Sequence, residues 1–316
     1  MLKVTEVEVA EDLLKVENLA VSFRKYQTHL QEGFEQVLTG ADIAVKEGEI
    51  VAVVGASGSG KSILASAILG ILPDHAVVSG RIDFKGQALT AKQQKIWRGK
   101  EIAWIPQSIQ ALDPLMKTGR QAQAVIKSGD KRTRQQRVFR KLGLSDEAGY
   151  CYPFQLSGGM ARKALVSTAI LSEAKLIIAD EPTSGMDSET LHEFLYMLKN
   201  LAQEGRGVLV ITHDLEAALA IADRVAVFYG GQTLEIANAS DFAAQGELLR
   251  HPYTKALWNA LPQNDFMLYS ITESQRASKE GGCVFQENCP AANPLCTNKQ
   301  PRLKQLKDGM VRCFHA

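Results

Sequence analysis

The sequence predicts an α/β fold, a parallel sheet of short buried strands with polar residues at their carboxyl ends. Three segments predict it. Ile50-Val51-Ala52-Val53-Val54, Leu176-Ile177-Ile178-Ala179 and Val208-Leu209-Val210-Ile211-Thr212 are brief, nearly continuous apolar runs, the pattern of strands covered on both faces. Each runs straight into residues with chemistry: a glycine-rich loop, an Asp-Glu pair and a His-Asp pair. With 316 residues, 45% apolar and 22% charged, the chain is long enough for two domains and a substantial core. A net charge of +1 gives no general reason to expect a nucleic-acid partner. No apolar run approaches the ~20 residues that a bilayer-spanning helix needs. Met1 to Glu11 carries acids and no apolar core, so it is not expected to be a secretory signal.

In chain order, residues 13–54 read as strands, with Lys46-Glu47-Gly48-Glu49 as a hairpin turn. The strand ending at Val54 opens into Gly55-Ala56-Ser57-Gly58-Ser59-Gly60-Lys61-Ser62, and Ile63 to Leu69 reads as a helix. This is the phosphate-binding pattern G-x-x-x-x-G-K-[ST], between the strand and helix it requires. Glycines let the backbone turn tightly so that its N–H groups converge on phosphate oxygens, and the helix adds its positive end. Lys61 can reach the β- and γ-phosphates, and the Ser62 hydroxyl can ligate Mg²⁺. The chain is therefore expected to bind a nucleoside triphosphate.

Residues 108–165 follow as a mostly helical insertion with breaks at Pro114, Gly129, Gly143 and Pro153. Within it, Lys131 to Lys141, with Val138 and Leu142 at helical spacing, reads as the solvated face of an amphipathic helix. The insertion closes on Leu156-Ser157-Gly158-Gly159-Met160, ahead of a helical run from Ala161 to Leu171. Amides that cap a helix can bind an anion, which makes a second phosphate site on one chain. One ATP needs only one, so the economical arrangement is a head-to-tail dimer in which each loop closes the partner's nucleotide. Segments 40–106 and 166–235 read as the α/β core. Asp180, at a strand's carboxyl end, is placed to hold Mg²⁺, usually through a water. The adjacent Glu181 can orient and deprotonate the attacking water. His213, at the end of the third strand, is placed for a γ-phosphate contact.

With these motifs in this order, the chain resembles the ATP-binding subunits of ABC transporters over roughly residues 12–250. The resemblance implies a P-loop NTPase core with an antiparallel β subdomain and a helical subdomain at about 108–165, binding and hydrolysing ATP with Mg²⁺. It places Phe23 or Tyr26 where that family stacks an aromatic ring on adenine, and Gln107, after Ile105-Pro106, in the Q-loop as a further Mg²⁺ ligand. Ser157, Gly158, Gly159 and Met160 match the signature loop that contacts ATP across the dimer, Ser184-Gly185-Met186-Asp187 the D-loop, and His213 the switch histidine. Ala111 to Gly119, directly after the Q-loop, is placed to receive a coupling helix from a membrane subunit. Met160 replaces the signature's usual glutamine, and Arg162-Lys163 stand where Gln-Arg is usual, a change expected to weaken the site completed on the partner. The D-loop reads Ser-Gly-Met-Asp rather than Ser-Ala-Leu-Asp.

Beyond residue 250, His251-Pro252-Tyr253-Thr254 reads physically as a capped helix start. It also resembles the C-terminal hallmark of the oligopeptide/dipeptide/nickel importer ATPases, so domains are expected at 1–250 and 251–316. Four of the five cysteines, Cys283, Cys289, Cys296 and Cys313, crowd this extension with spacings C-x5-C-x6-C-x16-C. In a cytosolic compartment clustered thiols more often mean metal than disulfide. Four thiolates suit tetrahedral Zn²⁺ or an iron–sulfur cluster, and the resemblance favours 4Fe–4S. Cys151 reads as structural. The resemblance further implies an importer of di- and oligopeptides, with nickel or metal chelates as the alternative cargo. Its partners would be a second ABC ATPase subunit (a paralogue or another copy), two membrane permease subunits and, indirectly, an extracytoplasmic substrate-binding protein. The chain would then sit peripherally on the cytoplasmic face of the inner membrane. A non-hydrolysing regulatory subunit and a soluble ABC ATPase acting on ribosomes or DNA are the rivals. Intact Asp180, Glu181 and His213 speak against the first, and a single cassette with a short insertion against the second.

Overall fold

A computed structural model of the chain describes residues 11–28, 31–183, 186, 188–264 and 281–316. Two long strands, β1 (Asp12–Thr28) and β2 (Gln31–Lys46), pair antiparallel. β3 (Ile50–Gly55) leads into α1 (Lys61–Leu69), after which β4 (Ala76–Phe84) and β5 (Gln87–Ala88) extend the antiparallel sheet beyond β1. Next come α2 (Ala91–Trp97), β6 (Ile102–Ile105) and the helices of the insertion, α3 (Thr118–Ala124), α4 (Lys131–Lys141) and α5 (Gly158–Leu171). The sheet resumes through β7 (Leu176–Asp180), α6 (Ser188–Gln203), β8 (Gly207–Thr212), α7 (Leu215–Leu219), β9 (Arg224–Tyr229) and β10 (Gln232–Asn238). The last elements are α8 (Pro252–Asn259), α9 (Pro294–Asn298) and the hairpin β11 (Lys304–Leu306) with β12 (Gly309–Val311).

The strands form one sheet in the order β5-β4-β1-β2-β10-β9-β3-β8-β7-β6, with β12 on β10. Strands β9, β3, β8, β7 and β6 are parallel, and every residue of β3, β7 and β8 is buried. Successive side chains of a strand point to opposite faces. Ile50, Ala52 and Val54 accordingly join one apolar cluster with Ile177, Ala179, Val208 and Val210. Val51 and Val53 join the other with Ile178, Leu209, Ile211 and Leu64 of α1. Burial on both faces is what produced the continuous apolar runs.

Two local expectations are corrected. A turn does form at Glu47 and Gly48 (φ 74°), with the Glu49 N–H donating to the Lys46 carbonyl at 3.3 Å. It is not a hairpin, because β2 pairs with β1 while β3 inserts between β9 and β8. Turn chemistry reverses a chain without choosing the strand's partner. Residues 76–88, within the segment assigned to the core, likewise belong to the antiparallel part, β4 pairing with β1 and β5 with β4. The insertion has its own small core of Ala122, Ile126, Phe139, Leu144 and Ala164. Its basic helix α4 starts at an Asp130 cap and turns Gln135 and Phe139 inward. No helix among the described residues is long and apolar enough to cross a membrane.

The C-terminal hairpin docks on the sheet through Glu235↔Val311 and Ile236↔Met310. Arg312, 7% exposed, anchors it by donating to the Asp42 carboxylate at 2.6 Å and the Thr233 carbonyl at 2.9 Å.

Candidate nucleotide site

β3 delivers the backbone to Gly55, and α1 takes over at Lys61. A Cβ on Gly55 would run into the Phe228 carbonyl, and one on Gly60 (φ 95°) would lie 2.5 Å from Leu38. Both positions therefore require glycine. Lys61, 6% exposed, folds over the loop, its Nζ donating to the carbonyls of Gly55 at 2.8 Å and Ala56 at 3.0 Å. Burial lowers its pKa, and the charges of Glu181 and Asp180 oppose that shift. The Ser62 hydroxyl donates to Asp180 Oδ1 at 3.1 Å. Asp180 ends β7 only 5% exposed, and burial raises its pKa, with the Glu181 charge adding and Ser62 and Lys61 opposing. These hard oxygens, side by side below the loop, fit the donor set that Mg²⁺ prefers.

Glu181 follows in a left-handed backbone conformation (φ 45°), and its N–H donates to the Ile211 carbonyl at 2.8 Å. Such a conformation costs roughly 1–3 kcal/mol and persists where neighbouring structure over-determines it; the bond to β8 does so here. Its Oε2 lies 2.7 Å from His213 Nδ1, the carboxylate 11% and the imidazole 65% exposed. Lys61, Ser62, Gln107, Glu181 and His213 line one cleft of about 460 Å³, together with Ser57, Gly58, Gly60 and two flanking residues, Val37 and Ile63. The structure thus brings together residues that lie far apart in the sequence, from Val37 on β2 to His213 after β8.

Other predicted residues lie elsewhere. Ser157 caps α5, its Oγ accepting from the Met160 N–H at 3.3 Å; Gly158 and Gly159 are exposed, and none of the signature residues lines the cleft. Phe23 is not among the cleft-lining residues; its ring tilts against His75 at 5.6 Å. The side chain of Tyr26, and the D-loop residues Ser184, Gly185 and Asp187, lie outside the described residues. Arg162, one of the two departures after the signature loop, has a partner within its own chain. Its guanidinium, 6% exposed, donates to the Pro106 carbonyl at 2.7 Å, one residue before Gln107. No local sequence signal links positions 106 and 162. Val37 was missed for the same reason, since a strand residue looks alike whether it lines a cleft or a core.

Burial pushes the Cys283 thiol up to about 11 and raises that of Cys289. Cys296 Sγ is 3.3 Å from His315 Nε2, and the His315 N–H donates to Cys313 Sγ at 3.4 Å. Even so, among the described residues no group of three or more His, Cys, Asp or Glu is arranged to hold a metal ion. The expectation of a formed four-thiolate centre is not met in this arrangement, where Cys283 and Cys296 join an apolar cluster with Phe285 and Cys289 packs against it.

Residues 38–184 match the ABC transporter family, and residues 234–296 match the oligopeptide/dipeptide transporter C-terminal region. The dipeptide transport ATP-binding protein DppD of Escherichia coli K12 is 35% identical over 291 residues, 86% of this chain and 88% of that protein. The oligopeptide transport ATP-binding protein AppD of Bacillus subtilis 168 is 32% identical over 323 residues, 96% of each chain. Among solved structures, an ATP-binding subunit of an ABC transporter matches with a TM-score of 0.63 at 25% identity, covering 78% of this chain and 98% of that one. The dimeric cassette MJ0796 shares the fold at a TM-score of 0.62 and 24% identity, covering 72% and 98%.

Proposed function

This chain belongs to the ATP-binding subunits of ABC transporters, in the branch carrying the oligopeptide/dipeptide transporter C-terminal region, and from that premise we propose that it powers uptake of di- and oligopeptides by hydrolysing ATP. The relatives named above are dipeptide and oligopeptide transport proteins, so the nickel or chelate alternative is not favoured. The observation that carries the hydrolytic reading is the 2.7 Å contact of Glu181 with His213 in the cleft that Lys61 and Ser62 line.

In this reading the loop amides from Gly55 to Ser62 cradle the phosphates, and Lys61 leaves its carbonyls to meet the β- and γ-phosphates. Ser62, Asp180 and Gln107 would hold Mg²⁺, which when bound neutralises charge on the phosphate oxygens. Glu181 accepts a proton from the attacking water as its oxygen bonds to the γ-phosphorus, and His213 holds that carboxylate in line. The bond from the γ-phosphorus to the bridging oxygen breaks, leaving ADP and inorganic phosphate. Ser157 to Met160 close the partner's nucleotide in a head-to-tail dimer, with another copy or a paralogue. The exposure of Ser157, Gly158 and Gly159 on the surface supports this.

Residues 1–250 form the nucleotide-binding domain and 251–316 its extension. Two permease subunits dock on the insertion, where Leu115 is 86% and Phe154 73% exposed and Phe154 stacks on Tyr152. A substrate-binding protein acts indirectly from the far side, and the chain sits peripherally on the cytoplasmic face. A 4Fe–4S cluster on Cys283, Cys289, Cys296 and Cys313, or Zn²⁺ in its place, has one support, the crowding of these four cysteines in one extension of the chain. No step of turnover is routed through it. The test of function is uptake of labelled di- and oligopeptides in cells carrying Lys61→Ala. Loss of peptide uptake is expected; unchanged peptide uptake with loss of nickel uptake would reverse the cargo assignment.

A further inference from the structure

A cavity of about 330 Å³ lies within the insertion and shares no lining residue with the nucleotide cleft. Its walls come from the start of α3 (Lys117 and Arg120), from α4 (Arg132 and Gln135) and from the 3₁₀ turn Asp146–Tyr150. Those walls are fixed to one another. The Thr118 N–H donates to the Cys151 carbonyl at 3.0 Å, and the Thr118 hydroxyl to the Ala148 carbonyl at 2.7 Å. Gly119 packs so closely on the turn that a Cβ there would lie 2.6 Å from the Gly149 carbonyl.

Gln135, 3% exposed, leaves a buried donor unpaired in this wall. Its Oε1 accepts from Gln123 Nε2 at 3.2 Å, but its own Nε2 has no hydrogen-bond partner. That nitrogen lies against the glycines of the cavity, 3.3 Å from where a Cβ on Gly149 would stand. Buried donors are nearly always paired, so this one calls for an acceptor. Charge points the same way. Lys117, Arg120 and Arg132 line the cavity against a single carboxylate, Asp146. Arg140 already holds that carboxylate, donating to its two oxygens at 3.0 and 2.6 Å. Among the described residues none of the three cations has an ion-pair partner. Arg132 donates instead to the Tyr150 hydroxyl at 2.5 Å, and Lys117 Nζ stands 5.9 Å from the centre of the Tyr152 ring. Cations without counter-charges around a preformed concavity attract an anion, and guanidinium forks match phosphate oxygens.

We propose that this cavity binds a small phosphate ester, its phosphate on Lys117, Arg120 and Arg132 and an oxygen of its organic part accepting from Gln135 Nε2. The volume lies at the small end of the ~300–1,000 Å³ typical of small-molecule sites, more than phosphate alone would fill. A neutral amide donor suits a hydroxyl or carbonyl oxygen. The site is independent of the ATP-binding reading of the cleft.

The test is calorimetric titration of glycerol 3-phosphate into the full chain. Saturable binding is expected, and none below about 1 mM overturns the proposal. Lys61→Ala is expected to bind the ester as wild type does; loss there would place it in the nucleotide cleft and overturn the assignment. Arg120→Gln changes an exposed side chain and is expected to weaken binding ~10-fold or more, the effect of one hydrogen bond to a charged group. An unchanged affinity in that variant overturns the proposal. So does equal weakening by Lys131→Gln, which lies on the same basic helix outside the cavity and reports only general attraction of charge. Gln135→Glu keeps the acceptor for Gln123 but turns the donor into an anionic oxygen, and is expected to abolish binding. Inorganic phosphate is expected to bind more weakly than the ester; equal affinity overturns the part given to Gln135.

Discussion

Asp180 is a carboxylate held 5% exposed beside a second acid, with only Ser62 and Lys61 to offset its charge. Its folded pKa lies above the unfolded value, so the folded state binds the proton more tightly. Between those two values stability falls as pH rises, and above both of them the nucleotide-free chain carries the full penalty. Asp180→Asn is therefore expected to raise Tm at pH 7 while lowering Mg²⁺-dependent hydrolysis ~100-fold or more. Calorimetry and an ATPase assay on one preparation check both; a lowered Tm contradicts the electrostatic account. This trade of stability for function was half legible. The Asp-Glu pair behind an apolar strand announced itself, because the chemistry requires those types in succession. The left-handed backbone of Glu181 and its tie to Ile211 did not, since they arise from β8 lying alongside β7.

At the scale of an element, α8 shows how a short motif becomes structure. His251 accepts from the Tyr253 N–H, which requires a neutral ring, and burial pushes its pKa down to about 3. The unfolded chain binds that proton near pH 6.5 and the folded chain does not until about 3. Stability from this group is thus intact above pH 6.5 and is lost as pH falls towards 3, by on the order of a few kcal/mol. His251→Asn keeps a cap acceptor without the titration, and denaturant melts at several pH values are expected to give a flatter acid limb. If the slope matches wild type, His251 is not the titrating group. The sequence located this helix start from Pro252 and its apolar face. It could not locate Glu235, 16 residues upstream of His251, as the carboxylate that receives its N–H.

For the whole molecule, the cleft and the signature loop lie apart on one chain. Completing an ATP site with the signature loop then requires a second subunit. Glu181→Gln slows hydrolysis by ~10²–10⁴-fold if it removes a general base, and is expected to accumulate an ATP-bound dimer. Light scattering with and without ATP checks this, alone and with any co-purifying ATPase. A mass that stays monomeric in every combination contradicts the sandwich.

What the sequence by itself determined is everything that depends on neighbours along the chain. The phosphate loop needs closely spaced glycines, Lys61 and Ser62; buried strands need apolar runs; Asp180, Glu181 and His213 need only to stand at strand ends. The tertiary structure alone decided which distant groups meet. It set β3 between β9 and β8 rather than against β2, turned Arg162 to Pro106, and held the tail to the sheet by Arg312 on Asp42. The reason is physical: backbone propensity and motif spacing act over a few residues, whereas a buried charge or hydroxyl takes whatever partner the packed sheet and helices bring within about 3 Å of it.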